Sequence, residues 1–141
     1  MSPGAGYSGT PLPKKLGIKA GHRVLLVGAP ADLDLAPLPD DVTLSRSAGS
    51  GSAGRGPYDV IITFCRDAAA LTRRFAPAVA RTPPDGAIWV AWPKKASGVV
   101  TDLDDHAVRA HGLAEGLVDV KVCAIDATWS GLRFVRRLAD R

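Results

Sequence analysis

Lys94 and Lys95 stand side by side where an unbroken apolar run ends, in "WVAWPKKASG" at residues 89–98. Two ammonium groups beside Ser97, with the backbone amides running to Gly98 close by, are the makings of an anion site for phosphate or carboxylate. The alternative is a solvated loop with both charges in water. Schiff-base chemistry at either lysine would need a desolvated pocket and a depressed pKa, which no neighbouring residue type supplies.

Other candidates follow apolar runs in the same way. Gly28, Ala29 and Pro30 close the first run, Cys65 and Arg66 the second, and Trp92 the third. Asp126, Thr128, Trp129, Ser130 and Gly131 fall in and just after the polar turn "DATWSG". A tryptophan is hard to bury there, so Trp129 is a candidate for ligand stacking as well as for packing, and Asp126 can equally cap the turn. The N-terminal "GYSGT" adds Tyr7, Ser8 and Thr10, provided that arm folds over the same edge.

Metal chemistry is not indicated. His106 and His111 lie five apart on a helical segment and so face different ways, and His22 stands alone before a strand. Cys65 and Cys123 both fall in strands, as small core residues do. Neither a Walker loop, nor a Ser-His-Asp set on an elbow, nor a paired-carboxylate motif occurs.

The order of elements is what brings the candidates together. "HRVLLVGAP", "YDVIITFC" and "GAIWVAW" are apolar without alternation, as strands covered on both faces of a parallel sheet must be. Between the second (59–65) and third (87–92), Leu71, Phe75 and Val79 recur at helical spacing, with a kink at Pro77 and a stop at Pro83, Pro84 and Gly86. A further helix is expected over "TDLDDHAVRAHG", with Thr101 or Asp102 as N-cap and Gly112 as C-cap, before a fourth strand at 118–126. A short helix over "PLPKKL" takes Thr10 as N-cap, Pro11 as its first residue and Gly17 as its stop. Only "DATWSG" separates the fourth strand from the closing "GLRFVRRLAD", too little for a parallel crossover, so that pair is antiparallel. On a terminal edge strand, its arginines serve to block edge pairing rather than to bind nucleic acid.

The front half is thinner. Residues 42–45 read as a short strand, and residues 46–57 as a flexible Gly/Ser loop where a doubly wound fold would place a helix. The fold class is therefore α/β: a Rossmann-like, mostly parallel sheet at 10–141 with an antiparallel C-terminal edge strand and a truncated first half, preceded by a flexible arm at 1–9. In such sheets ligands bind outside the carboxyl ends of the strands, where the candidates above converge.

At 141 residues the chain makes one domain. Eighteen Lys and Arg against 14 Asp and Glu leave a net charge of +4, which permits anionic partners without pointing to nucleic acid. Two cysteines, no signal peptide and no apolar run of spanning length lead us to expect a cytoplasmic protein that does not enter the membrane.

Three stretches, "GYSGTPLPKKLGIKAGHRVLLVGAP", "WVAWPKKASGVVTDL" and "LVDVKVCAIDATWSGLRFVRR", resemble the actinobacterial family catalogued as domain of unknown function 3052, over nearly the whole chain. That resemblance implies no particular activity. A second one, in the order of elements and in "PYDVIITF" followed by "PPDGAIWVAW", is to Rossmann-like S-adenosylmethionine-dependent methyltransferases. It implies a glycine-rich turn after the first strand and an acidic residue at the end of the second, holding the cofactor's ribose. Here the turn is Gly28-Ala29-Pro30 and the second strand ends near Ser45-Arg46, so both handles are altered, which argues against retention of S-adenosylmethionine.

The function expected is thus a methyltransferase-like domain without methyl transfer, binding an anionic small molecule or an acidic protein segment at the strand ends through Lys94, Lys95 and their neighbours. A divergent transferase or lysine-based enzyme in the same crevice is the alternative, and a nucleic-acid module is a third.

Overall fold

The computed structural model describes residues 10–47 and 57–141. The arm with Tyr7 and Ser8, and most of the Gly/Ser loop, lie outside the described residues.

The three unalternating runs form β1 (Arg23–Val27), β3 (Val60–Phe64) and β4 (Ala87–Pro93), parallel neighbours in the middle of one sheet. Every residue of β3 and β4 is buried, as cover on both faces demands. Outside β1 lies the parallel β2 (Thr43–Ser47), so the strand runs past residue 45 to Ser47. With β5 (Leu117–Ala124) and β6 (Trp129–Arg136) the sheet order is β2-β1-β3-β4-β6-β5.

β6 is antiparallel to both its neighbours, as the short connection requires, but it is inserted between β4 and β5 rather than lying at the edge. Burial explains the placement. Leu132 and Phe134 are buried, and Gly131 lets β6 pass close to β4: a Cβ there would stand 3.0 Å from the rings and chains of Trp89 and Ile125. β5 carries Asp119 and Lys121, exposes Val120 and Val122, and slips register between Asp119 and Lys121, all features that suit an edge. The β6 arginines therefore guard no edge. Arg136 instead donates from both Nη atoms to the carbonyls of Pro83 and Val79, each at 2.8 Å, closing the end of the helix over residues 68–80.

One face of the sheet is covered by α2 (Ala68–Ala80) and α3 (Asp105–Ala114), which bring Leu71, Phe75 and Val108 onto Leu25, Ile61, Ile88 and Phe134. α2 follows the spacing of its apolar residues, with Pro77 inside it. The N-cap of α3 is Asp104, whose Oδ1 accepts from Ala107 N at 2.8 Å, and not Thr101 or Asp102. Those two residues tie the approaching loop to α2: Asp102 accepts from Ala68 N at 2.8 Å, and Thr101 Oγ1 donates to the Arg66 carbonyl. Gly112 is not a C-cap either. It lies within α3 because a Cβ there would overlap the Phe134 ring, and the left-handed turn after the helix falls at Gly116, φ 90°.

The other face is covered differently. α1 (Leu12–Lys15) is a single turn with Pro11, not Thr10, at its N-cap, and it is followed by Leu16, whose carbonyl accepts from Trp89 Nε1 at 2.9 Å. The β1–β2 connection, residues 28–42, contains no helix; Leu33 and Leu35 are pressed onto Val24, Leu26 and Ile62 in its place. No described helix is long and apolar enough to cross a membrane.

Candidate functional site

Strand order reverses between β1 and β3: the chain leaves β1 for β2 on one side and returns to β3 on the other. At such a switch point the two carboxyl ends diverge and open a crevice. Here it measures about 550 Å³, and its lining includes Gly28 and Pro30 after β1, Phe64 and Arg66 at the end of β3, and Arg73 and Arg74 from α2. Ala70, Arg73 and Arg74, three and four residues apart, share one face of α2, the spacing that delivers both guanidinium groups to the same side.

Arg74 is seated on the strand ends. Its Nη1 donates to the Phe64 carbonyl, and a Cβ on Gly28 would stand 2.6 Å from that nitrogen. Gly28 is thus a glycine for two reasons, its φ of 67° and the guanidinium packed over it. Arg74 Nε is buried without a partner. Among the described residues no carboxylate pairs with Arg66, Arg73 or Arg74. Asp67, the acid that lines the same crevice, is the N-cap of α2 and accepts from Ala70 N at 2.9 Å. At the end of β2, Arg46 donates to the carbonyls of Pro30 at 3.5 Å and Leu33 at 3.3 Å, holding the segment that follows β1.

The crevice also has an apolar side. Trp129 opens β6 half-buried, in edge-to-face contact with Phe64 at 5.2 Å between centroids and 84° between planes, and Val99 lines the crevice with it. Beside them Cys65 is wholly buried, and burial pushes its thiol up from 9.0 to about 11, against the opposing hydrogen bond with Thr63.

Lys94 and Lys95 line a second cleft of about 460 Å³ with Trp92 and Ser130. The opposite wall is acidic: Asp104 and Asp105 begin α3, and Asp105 lies 3.8 Å from Arg109. Lys95 is exposed and Lys94 half-buried, so neither occupies the dry pocket that Schiff-base chemistry needs. Two of the amides expected to form a nest are already in use. Ser97 N donates to the Lys94 carbonyl at 3.0 Å and Gly98 N to that of Lys95 at 3.2 Å, while Ser97 Oγ bonds the Lys94 carbonyl at 2.6 Å. Gly98, φ 78°, closes this turn.

The candidates thus divide. Gly28, Pro30 and Trp129 meet in the switch-point crevice; Trp92, Lys94, Lys95 and Ser130 meet in the lysine cleft. Ser97 and Gly98 form a turn that lines neither, and Asp126 caps its own turn by accepting from Thr128 N and Trp129 N, both at 2.8 Å. Thr10 precedes α1 and lines neither cleft; Tyr7 and Ser8 lie outside the described residues. Sequence reasoning passed over Arg73 and Arg74. A signal was present: two adjacent arginines in "ALTRRFA" lie beside the apolar stripe of Leu71 and Phe75, on the helix that follows the second apolar run. No group of three or more metal-ligating side chains occurs among the described residues.

Comparison with solved structures gives a consistent neighbourhood. The chain is similar to an S-adenosylmethionine-dependent methyltransferase from Aquifex aeolicus (TM-score 0.64, 12% identity, 86% of this chain and 85% of that one). It is also similar to magnesium protoporphyrin IX methyltransferase from Synechocystis PCC 6803 with bound S-adenosylmethionine (0.61, 11%, 89% and 74%). A third is the N-methyltransferase NodS from Bradyrhizobium japonicum WM9 (0.56, 18%, 84% and 88%). The fold is Rossmann-like and methyltransferase-like. At these identities the likeness is one of fold, and what a methyltransferase-like sheet does is decided by the groups at its strand ends. No family model and no curated protein matches the chain, so the resemblance to domain of unknown function 3052 rests on its sequence stretches alone.

Proposed function

We propose that this methyltransferase-like domain binds an anionic small molecule in the crevice between β1 and β3, held by Arg66, Arg73 and Arg74. One observation carries the reading: three arginines line a single crevice with one carboxylate, Asp67, which caps α2 and forms no ion pair with any of them. Arginine's fork of donors suits phosphate and carboxylate, and a half-buried guanidinium with no counter-charge gains most from a bound anion. This moves the anion from the lysine pair to the arginines one cleft away. An acidic protein segment would meet the same groups but would have to reach into a crevice of about 550 Å³, which a small molecule fills more readily.

S-adenosylmethionine is the group the fold suggests, and the residues present do not fit it. Its carboxylate could meet an arginine, but its sulfonium and ammonium, both cations, would share a lining of three guanidinium groups and a single carboxylate. The close approach that Gly28 would otherwise permit is taken by Arg74, and the end of β2 offers Arg46 in place of a ribose-holding acid. A divergent transferase in this crevice is the competing reading, favoured by the fold likeness to a methyltransferase with that cofactor bound.

Calorimetric titration of the full chain with pyrophosphate and, separately, with S-adenosylmethionine decides between them. Pyrophosphate is expected to bind at low salt and to weaken as salt is raised, as screened cations require. Binding of S-adenosylmethionine in the micromolar range, with none of pyrophosphate, overturns the proposal in favour of the transferase.

A further inference from the structure

We infer that the ligand of this crevice is a nucleoside phosphate, its phosphate on the arginines and its base against Trp129; this rests on the anion reading above. The crevice is chemically two-sided. Arg66, Arg73 and Arg74 form one side, and Trp129 and Val99, joined by Phe64, the other. An edge-to-face pair leaves Phe64 covering at most one face of the Trp129 indole, and Trp129 is only half-buried. The Phe64 ring, 1% exposed, and the core cluster around it hold the half-buried indole in place, so a planar ring entering the crevice meets a pre-positioned aromatic side chain.

Charge selects the other half of the ligand. Three guanidinium groups less one carboxylate leave +2 in the lining, 3 − 1. A phosphate monoester, at about −1.5 to −2 near neutral pH, balances this, whereas a single carboxylate leaves one arginine uncompensated. Thr128, at the same crevice, supplies a hydroxyl and a half-buried position from which a base edge can be met. A plain anion would leave the aromatic side of the crevice unused, and a plain nucleoside would leave the arginines unpaired.

The experiment compares pyrophosphate, adenosine, adenosine diphosphate and uridine diphosphate on the full chain by calorimetry, with tryptophan fluorescence alongside. Trp89 and Trp92 are buried, so Trp129 is the indole a ligand would quench. Both nucleoside diphosphates are expected to bind about tenfold more tightly than pyrophosphate and to quench, as stacking on an aromatic side chain provides irrespective of the base. Adenosine alone should bind far more weakly than its diphosphate. Trp129→Ala should bring the nucleotides down to pyrophosphate's affinity, with pyrophosphate itself unchanged; Trp129→Phe should keep most of the gain. Equal affinity for pyrophosphate and the nucleotides overturns this inference and leaves the anion reading standing, a comparison that needs no variant. Failure of every phosphate compound to bind overturns both.

Discussion

Two clefts open at the carboxyl edge of the sheet, and they seat their cations differently. In the lysine cleft Lys94 and Lys95 share the lining with Asp104, the N-cap of α3, and Asp105, which lies near Arg109; Lys95 is exposed and Lys94 half-buried. In the switch-point crevice Arg66, Arg73 and Arg74 meet a carboxylate already committed to a helix end, and the half-buried Arg74 has a nitrogen with no partner at all. Position at a strand end is common to both. What differs is the cation and its burial, a guanidinium with a buried, unpartnered nitrogen against ammonium groups nearer the solvent, and the proposed anion site rests on that difference.

Gly28 in the crevice and Gly98 in the turn after the lysines also differ, which offers the sharpest way to break the comparison. Gly28→Ala places a methyl at positive φ and against Arg74, whereas Gly98→Ala meets the same backbone strain in open space. Gly28→Ala is expected to lower stability by about 2–4 kcal/mol in urea titration and to abolish pyrophosphate binding by displacing Arg74. Gly98→Ala should cost about 1 kcal/mol and leave binding intact. Similar losses and intact binding in both variants would mean that the seat of Arg74 on Gly28 has no part in the site.

A second effect probes how dry the ground beside the crevice is. Burial holds the Cys65 thiol protonated up to about pH 11, while in the unfolded chain it ionises near 9.0. The folded pKa being the higher, its contribution is fully present below about pH 9 and is lost as pH rises through about 11. It amounts to roughly 2–3 kcal/mol at about 1.4 kcal/mol per unit. Compared with Cys65→Ala, the wild-type chain should lose the larger share of its stability across that window, and parallel curves would show a wetter site. At pH 8 the half-buried Cys123 should be alkylated before Cys65.

Much of the rear half is legible in the sequence because burial on both faces leaves a plain mark: apolar runs without alternation for β3 and β4, and Leu71 with Phe75 at helical spacing for α2. The antiparallel sense of β6 follows from its short connection, but its place inside the sheet does not, since chain order does not fix which neighbour a strand chooses. Gly131 beneath Trp89 and the charges at Asp119 and Lys121 were the available hints. The caps of α3 went astray because "TDLDD" offers several capping acids in a row, and Gly112 imitates a stop while serving a contact with Phe134. The helix-free β1–β2 connection is a matter of three prolines with Leu33 and Leu35 between them, a pattern that specifies burial without a period. At the site, the strand-end rule points to Gly28, Pro30 and Trp129, which line one crevice, whereas the arginines of α2 are visible only once the face beside the apolar one is considered.

The two clefts can be set directly against each other with pyrophosphate as the probe, titrated into the wild-type chain, Arg66→Ala with Arg73→Ala, and Lys94→Ala with Lys95→Ala. Both double variants lose two positive charges from largely exposed side chains, so long-range attraction falls alike in each. Two lost charge-assisted contacts, reduced by solvent screening, predict about a 30-fold loss of affinity for the arginine pair. The lysine pair should change affinity by no more than about twofold, the part owed to net charge alone. A larger loss from the lysine pair than from the arginine pair would contradict the assignment of the site to the switch-point crevice.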